Sequence, residues 1–314
     1  MKVYTHTDNL SISNPVVTIG VFDGLHRGHQ QLIKLVKAKA SELKGESVVV
    51  TFWPHPKIVL GSGNKELLLL TTLEEKKYLL EEWGIDHLIV LTFTKEFAKL
   101  SGSDFIKSTI VDQIGVKYLI IGDDHRFGRD RDGGKETLGE IANEAGFQFA
   151  NIQSFKENNS RISSSLVRQA LKEGKLEEVH SLLGFPYFMF GNVVEGNQFG
   201  RKIGFPTANI ECCSGNKQIP DEGVYVVMVD IDGREFGGML NIGTRPTVDS
   251  AMVKSIEVHI FDIEQNLYGK KLKVSFLHRL RNEMKFNNTD DLRLQLIKDK
   301  KRSLEVLERI DYQK

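Results

Sequence analysis

Up to about residue 184, short apolar runs alternate with stretches in which apolar residues recur every three or four positions. The runs predict buried strands, and the periodic stretches predict amphipathic helices. Strands are predicted at residues 16–22, 48–53, 87–93, 118–121 and 147–152, and helices at residues 28–44, 72–83, 103–114 and 135–145. This alternation predicts an α/β, Rossmann-like parallel sheet covered on both faces, which binds ligands at the carboxyl ends of its strands.

The pattern changes after Gly184-Phe185-Pro186. Short strand candidates separated by Gly, Asn and Asp follow at residues 187–194, 223–231, 235–242, 255–262 and 271–279. Regularly spaced strands with turn signals predict an antiparallel barrel or sandwich. A helix opened by Thr289 is predicted over residues 289–310, and four of its leucines are expected to face the strands: Leu292, Leu296, Leu304 and Leu307. We therefore expect two domains, residues 1–184 and 185–314.

Composition narrows the class of protein. The 314 residues carry 42 basic and 42 acidic side chains, a balance that argues against a nucleic-acid scaffold. The two cysteines, Cys212 and Cys213, are adjacent, which favours neither a disulfide nor a metal site and is typical of a reducing cytoplasm. No signal peptide and no apolar run of the ~20 residues that a membrane helix needs is visible. We expect a cytoplasmic protein with small-molecule substrates and no obligate protein partner.

The segment 18–29, TIGVFDGLHRGH, carries the clearest chemistry in the first half. It predicts a strand that feeds a turn and then a helix, so His26 and His29 lie three residues apart on one face near the helix start. Gly24 and Gly28 allow the backbone to approach a ligand closely. Because a helix N-terminus favours anions, two imidazoles beside it predict a polyphosphate site. The chemistry that this indicates is attack on a nucleotide α-phosphate.

Three further segments follow predicted strands or open a helix near the same edge. Residues 51–56 place His55 at the end of the second strand, and residues 121–128 form a loop rich in glycine and cations. Residues 162–168 open a helix with serines, and Arg168 lies one turn inside it, where it could hold a departing pyrophosphate. Each has a simpler interpretation: the serines could cap the helix, His55 could be structural, and the loop residues His125, Arg129 and Arg131 could be solvated.

The second half contains its own candidates. The glycine-rich segment 200–209, GRKIGFPTAN, carries two cations, and Thr207 and Asn209 offer oxygen ligands of the kind that Mg²⁺ accepts. Arg245 lies in the turn 241–247, where its side chain could contact a phosphate. Strand alternation places Glu257 and His259 on the face opposite Ile256 and Val258. A carboxylate there could take a proton from a substrate hydroxyl, although a lone glutamate on a strand more simply faces solvent.

Taken together, these segments resemble the bacterial bifunctional riboflavin kinase/FMN adenylyltransferase (FAD synthetase) family. The resemblance runs through essentially the whole chain in order, over residues 22–29, 51–56, 93–105, 122–134, 162–168, 191–209, 223–225, 238–247, 257–262, 267–269 and 280–286. It implies an N-terminal nucleotidyltransferase domain over residues 1–184. It also implies a riboflavin kinase domain over residues 185–314, built as a six-stranded antiparallel β-barrel with a terminal helix.

The resemblance also assigns roles. The implied catalytic residues are His26, His29, Arg168 and Glu257, and the implied metal ligands are Thr207 and Asn209. Residues expected to bind ATP or its phosphates are Gly20, Phe22, Asp23, Gly24, Gly28, Ser164, Ser165, Gly200, Arg201, Lys202 and Arg245. Residues expected to bind flavin are Asp124, Arg126, Phe127 and His55. Two positions depart from the family pattern, since His125 stands where an aromatic is common and Ser165 where threonine is common.

The implied chemistry is a pair of reactions. The ribityl 5′-hydroxyl of riboflavin attacks the γ-phosphate of ATP, with Mg²⁺ as cofactor, and gives FMN. The FMN phosphate then attacks the α-phosphate of a second ATP and gives FAD and pyrophosphate. Two alternatives are a flavin-binding sensor that has lost turnover and a nucleotidyltransferase for another phosphate ester such as phosphopantetheine. A decayed sensor should lack His29, Thr207, Asn209 or Glu257, and the second alternative leaves the phosphate-binding segments of the second half unexplained.

Overall fold

A computed structural model describes residues 1–8, 10–61, 67–123, 135–153, 156–157, 160–196, 199–246 and 252–311. Backbone contacts divide the chain into two units, Met1–Ser164 and Ser165–Lys314. Residues 165–184 are thus grouped with the second unit, whereas the sequence pattern places the boundary at 184/185. Their attachment is visible in His278, whose Nδ1 lies 2.9 Å from the Glu177 Oε1.

Among the residues described, the first unit contains eight strands, five α-helices and the first residue of a sixth. The strands are β1 (Lys2–Tyr4), β2 (Val16–Ile19), β3 (Ser47–Trp53), β4 (His87–Thr92), β5 (Tyr118–Gly122), β6 (Gln148–Ile152), β7 (Lys156–Glu157) and β8 (Ser160–Arg161). The helices are α1 (Arg27–Glu42), α2 (Pro56–Val59), α3 (Leu73–Glu82), α4 (Gly102–Phe105), α5 (Lys135–Ala145) and the first residue of α6 (Ser164–Lys172). A π-helical segment, Ile106–Gln113, continues α4, and a 3₁₀ turn, Phe97–Lys99, precedes it.

Six of these strands form one sheet in the order β1-β4-β3-β2-β5-β6, and every pairing is parallel. The predicted parallel sheet is therefore confirmed. Its core joins Val17, Ile19, Val48 and Val50 to Ile110 of the π-helical segment and to Leu138 and Ile141 of α5. Helix α1 packs through the buried residues Leu32, Ile33 and Val36, as its period predicts.

Two features of the first unit were not predicted from the sequence. Strand β1 pairs in parallel with β4, from Lys2 opposite His87 to Tyr4 opposite Ile89. Helix α3 begins with a reciprocal cap, because Glu75 N–H donates to Thr72 Oγ1 and Thr72 N–H donates to Glu75 Oε2. This cap fixes the start of α3 directly after Thr72.

The second unit contains the remaining elements. Its strands are β9 (Phe188–Val194), β10 (Ala208–Cys212), β11 (Gly223–Ile231), β12 (Arg234–Pro246), β13 (Met252–Ile260) and β14 (Lys271–Arg281). Its helices are α6, α7 (Leu176–Leu183), α8 (Phe199–Lys202) and α9 (Thr289–Asp311). The strands close a barrel in the order β10-β13-β12-β11-β14-β9, with every neighbouring pair antiparallel. Of the two predicted architectures, the barrel is confirmed.

Helix α9 lies against the barrel, and one expectation about it is wrong. Leu296 and Leu307 pack on a buried cluster of Phe205, Met239 and Phe261. Leu304, however, is 40% exposed, because the buried face of α9 carries Asp299 and Ser303 instead. In the described part of the chain, no helix is both long enough and apolar enough to cross a membrane.

Candidate active sites

In the first unit, the turn between β2 and α1 follows an unusual backbone path. Phe22, Gly24 and Leu25 all have positive φ, at 50°, 81° and 46°. Such angles are costly for Phe and Leu, so surrounding contacts must hold them. His26 occupies the N-cap position of α1, but its side chain makes no capping hydrogen bond. The imidazole is therefore directed to something other than the helix start.

The two histidines that the sequence singled out come together. The rings of His26 and His29 stack with centroids 3.8 Å apart and planes 15° from parallel. The Phe22 ring meets His29 edge-on at 5.2 Å. His26 is 6% exposed, and His29 is half-buried. Two adjacent imidazoles beside a helix N-terminus form a compact group of N–H donors suited to phosphate oxygens.

The serine segment reaches the same turn. Ser164 Oγ donates to the Asp23 carbonyl oxygen at 2.8 Å, which ties the first residue of α6 to this loop. Ser165 is exposed and Arg168 is half-buried. Arg168 belongs to the second unit, where its carbonyl oxygen accepts from Gln218 Nε2 at 3.4 Å.

The structure gives Asp23 a structural partner. Its Oδ1 accepts hydrogen bonds from the backbone N–H groups of Leu70, at 2.9 Å, and Thr71, at 3.0 Å. The Gly24 N–H donates in turn to Thr71 Oγ1 at 3.1 Å. A side chain at Gly24 would meet Leu70, so both the space and the positive φ favour glycine there. The turn is thus fastened to the segment that precedes α3.

The candidate flavin residues of the first unit divide into two groups. His55 is 8% exposed and caps α2, with Nδ1 accepting from the Lys57 N–H at 3.1 Å. The structural interpretation of His55 that the sequence analysis left open is consistent with this contact. Asp124, Arg126 and Phe127, together with His125, Arg129 and Arg131, lie outside the described residues. Gly20 donates its N–H to the Val50 carbonyl oxygen at 3.0 Å, and Gly28 lies in the first turn of α1.

In the second unit, three oxygen-bearing side chains gather where β10 meets β13. Thr207 Oγ1 lies 3.3 Å from Glu257 Oε2, and Asn209 is the register partner of Glu257. A Cβ at Gly196 would lie 2.0 Å from Asn209 Nδ2, and one at Gly200 would lie 2.2 Å from the Phe205 carbonyl oxygen. The two glycines therefore let the preceding loop close tightly over Thr207 and Asn209.

Two cavities meet at this group. The first, of about 600 Å³, is lined by Arg201, Thr207 and Tyr268 among others, with Val258 and Ile260 from β13. The second, of about 280 Å³, is lined by Thr207, Glu257 and His259 and by apolar side chains that include Met239, Phe286 and Leu296. Since Val258 and Ile260 alternate with Glu257 and His259, the cavities contact opposite faces of β13, and the predicted alternation is confirmed. Thr207 lines both.

His259 is a residue of this site to which the sequence argument gave no role. It is 7% exposed, and its Nδ1 lies 2.8 Å from the Pro206 carbonyl oxygen. Because a carbonyl only accepts, Nδ1 carries the proton. Burial lowers the pKa of His259 below its usual value, and the Pro206 hydrogen bond opposes that shift. The neutral ring therefore anchors the backbone directly before Thr207.

The donor set suits a magnesium ion that is shared with a substrate. Hydroxyl, amide and carboxylate oxygens are hard ligands, and Mg²⁺ binds few protein groups while keeping waters and substrate phosphates. Among the described residues, no cluster of three or more His, Cys, Asp or Glu side chains that could hold a metal occurs. Thr207 and Asn209 are the residues that would hold the ion.

Of the remaining cationic candidates, Arg201 lines the first cavity. Arg201 and Lys202 are both exposed at the end of α8. Arg245 lies on β12, where its backbone pairs with Val253.

Two family models match consecutive parts of the chain. The family model for FAD synthetase matches residues 9–166, and that for riboflavin kinase matches residues 183–307. Proteins named bifunctional riboflavin kinase/FMN adenylyltransferase are similar over most of the chain. That of Haemophilus influenzae is 40% identical over 94% of each chain, and that of Escherichia coli K12 is 39% identical over 95% of this chain and 96% of its own. A solved structure from Streptococcus pneumoniae, described as a macrolide-efflux protein, is 31% identical with a TM-score of 0.85 over 96% of this chain and 97% of its own.

Proposed function

The chain belongs to the family of bifunctional riboflavin kinase/FMN adenylyltransferases, and we propose that the two sites described above divide the two reactions between them. The enzyme makes FMN from riboflavin and FAD from FMN, with ATP as the co-substrate of both reactions. Residues 1–184 carry the adenylyl transfer and residues 185–314 carry the kinase reaction. A cytoplasmic location belongs to the same proposal, because the two cysteines of the sequence are adjacent, a spacing that favours neither a disulfide nor a metal site.

The kinase proposal depends above all on one observation: Thr207 lines both cavities and lies 3.3 Å from Glu257. The larger cavity, with Arg201 at its wall, takes ATP. The smaller one is apolar enough for the flavin ring and contains Glu257, so it takes riboflavin. Donor and acceptor then meet on either side of Thr207, which is the arrangement that in-line phosphoryl transfer requires.

Within this site, Glu257 accepts the proton of the riboflavin 5′-hydroxyl as that oxygen attacks the γ-phosphate. His259 keeps the Pro206 carbonyl in place and thereby fixes Thr207. Mg²⁺, when bound to Thr207 and Asn209, supplies neutralisation of charge on the phosphates. Gly200, Arg201 and Lys202 of α8 and Arg245 of β12 hold the triphosphate.

For adenylyl transfer, the stacked imidazoles of His26 and His29 bind the ATP phosphates and stabilise charge that develops around the α-phosphate. The FMN phosphate is already ionised, so the reaction needs no nucleophile from the protein. Positioning and electrostatics carry the step. Ser164, Ser165 and Arg168 hold the departing pyrophosphate. We assign binding of the flavin to Asp124, Arg126, Phe127 and His55.

The test separates the two activities with paired substitutions. Glu257→Gln should abolish formation of FMN from riboflavin yet leave formation of FAD from added FMN. His29→Ala should do the reverse. Losing one group that stabilises the transition state costs about 3–4 kcal/mol, so each drop should reach at least a hundredfold. Matched controls are Glu211→Gln, at an exposed position on β10, and His6→Ala, at an exposed position before β2; both should leave the two activities unchanged.

Two results would contradict the proposal. One is loss of both activities from either variant in a protein whose circular dichroism is unchanged. The other is retention of FMN formation by Glu257→Gln within tenfold of the parent. A protein that binds flavin but turns over neither substrate would favour the sensor alternative instead.

A further inference from the structure

A fully buried lysine lies behind the turn of the adenylyltransferase site. Lys76, in the first turns of α3, is 2% exposed. Its Nζ donates to the Val21 carbonyl oxygen at 2.6 Å and to Thr51 Oγ1 at 3.1 Å. Thr51 Oγ1 donates to the same Val21 oxygen at 3.2 Å. One backbone carbonyl of the turn is therefore gripped from two elements, α3 and β3.

Burying an ammonium group is costly unless its hydrogen bonds are made, and such burial is rare in proteins. Desolvation lowers the pKa of Lys76 to about 8, and the charge of Asp23 acts in the opposite direction. A leucine or methionine would fill the same apolar space without that cost. The described hydrogen bonds of the Lys76 ammonium group go to the Val21 carbonyl oxygen of the turn and to the Thr51 hydroxyl.

The turn needs such support. Phe22 and Leu25, on either side of Gly24, hold φ angles of 50° and 46°, which side chains of their kind rarely adopt. Asp23 fastens the turn to the N–H groups of Leu70 and Thr71. Lys76 holds the turn two residues earlier, through the Val21 carbonyl oxygen. The two contacts lie on either side of Phe22, and Leu25 follows them directly before the paired histidines.

We propose that Lys76 is a positioning residue for adenylyl transfer: by holding the Val21 carbonyl, it fixes the turn that presents His26 and His29 to the ATP phosphates. This inference rests on the proposed role of the two histidines. Lys76 is enclosed, and it acts through the backbone and touches no substrate.

A positioning role and a merely structural role give different kinetics. If the turn relaxes, the histidines no longer meet the transition state correctly, so kcat falls while the KM for ATP changes little. If Lys76 only stabilises the fold, the variant loses thermal stability but each folded molecule keeps its kcat.

The experiment uses the full chain and three variants. Lys76→Met removes the cation but keeps the length of the side chain. Thr51→Val removes the hydroxyl that supports the same carbonyl and leaves the lysine in place. Thr18→Val is the matched control, since Thr18 is buried on β2 and its Oγ1 has no hydrogen-bond partner among the described residues. The kcat and KM of FAD formation are measured at 15 °C per folded molecule, and the riboflavin kinase activity of each sample is measured alongside.

We expect Lys76→Met to lower the kcat of FAD formation at least tenfold with a KM change below threefold. Thr51→Val should lower kcat by a smaller factor of three or more, and Thr18→Val should leave kcat within twofold. If Lys76→Met retains kcat within twofold, the inference is wrong. If Lys76→Met does not fold, Thr51→Val decides, and an unchanged kcat in that variant also overturns the inference. His29→Ala separates the two failures, because full activity in that variant refutes the proposed site itself.

Discussion

Replacing Asp299 with asparagine should loosen helix α9 from the barrel. Arg281, on β14, donates through Nε to Asp299 Oδ1 at 3.1 Å and Oδ2 at 3.0 Å, and through Nη2 to Oδ2 at 2.7 Å. The two side chains are only 18% and 6% exposed. Gln295 adds a hydrogen bond to Asp299 Oδ1 at 2.8 Å. This pair lies beneath the part of α9 that contributes Leu292 and Leu296 to the smaller cavity.

The expected cost follows from this geometry. Removing one partner of a buried ion pair costs ~3–5 kcal/mol, because the remaining charge is left without compensation. Asparagine keeps the shape and one accepting oxygen, and Arg281 also donates to the Asn282 carbonyl at 3.0 Å, so we expect about 2–3 kcal/mol. For a unit of this size, that loss lowers the midpoint of thermal unfolding by about 4–12 °C.

Tryptophan fluorescence would report unfolding of the first unit, because both tryptophans, Trp53 and Trp83, lie there. Unfolding of the second unit is therefore measured as the riboflavin kinase activity that survives brief heating. The matched control is Asp232→Asn, which removes the partner of Lys270 in a pair whose side chains are 73% and 36% exposed. That change should cost less than about 0.5 kcal/mol, and asparagine accepts the positive φ of position 232. The KM for riboflavin should also rise in Asp299→Asn. A stability loss no larger than that of Asp232→Asn would refute the reasoning.

Three further outcomes can be checked. Gly200→Ala forces a Cβ against the Phe205 carbonyl oxygen and should raise the kinase KM for ATP by roughly tenfold, whereas Gly215→Ala, with open space around it, should leave it unchanged in the same steady-state assay. Tyr225→Phe removes the hydrogen bond to the Asp221 carbonyl oxygen at 2.6 Å and should cost about 1 kcal/mol in urea denaturation; an ultraviolet titration should lose the tyrosine whose pKa is raised by burial to about 12. Burial lowers the pKa of His259 in the folded state, so the unfolded chain takes up a proton at this residue more readily as the pH falls below about 6.5. The contribution of the neutral His259 to the free energy of unfolding is therefore complete above that pH and is lost as the pH drops. His259→Gln should flatten this slope between pH 7 and 5 in equilibrium unfolding, and an unchanged slope would contradict the assignment.

The sequence predicted the inner strands well because their residues are apolar on both faces. Strand β3, for example, runs through Val48, Val49 and Val50, all fully buried. Strand β1 was missed because its three residues are exposed or half-buried, so they carry no apolar run. Strand β10 was missed for a different reason: only Ile210 of its five residues is buried, and the polar residues Asn209 and Glu211 on either side interrupt any apolar run.

Side-chain roles were harder to predict than strands. Periodicity placed Leu304 on the inner face of α9, but the polar pair of Arg281 and Asp299 sets which face is buried. The sequence also cannot show that a candidate side chain binds its own backbone: the hydrogen bonds of Asp23 and His55 to backbone N–H groups are visible only in the structure.

The closed barrel has a practical consequence for engineering the flavin specificity of this enzyme. Each strand is hydrogen-bonded on both sides, so the wall cannot part, and residues within the strands have little freedom to accept a bulkier ring. In the smaller cavity, which we propose takes riboflavin, adaptation therefore falls to residues outside the strands: Ile203 in the loop after α8, Met284 and Phe286 after β14, and Leu292 on α9. A library confined to these four positions should yield variants that accept modified isoalloxazines, whereas equal diversity spread over β11 and β13 should yield mainly insoluble protein.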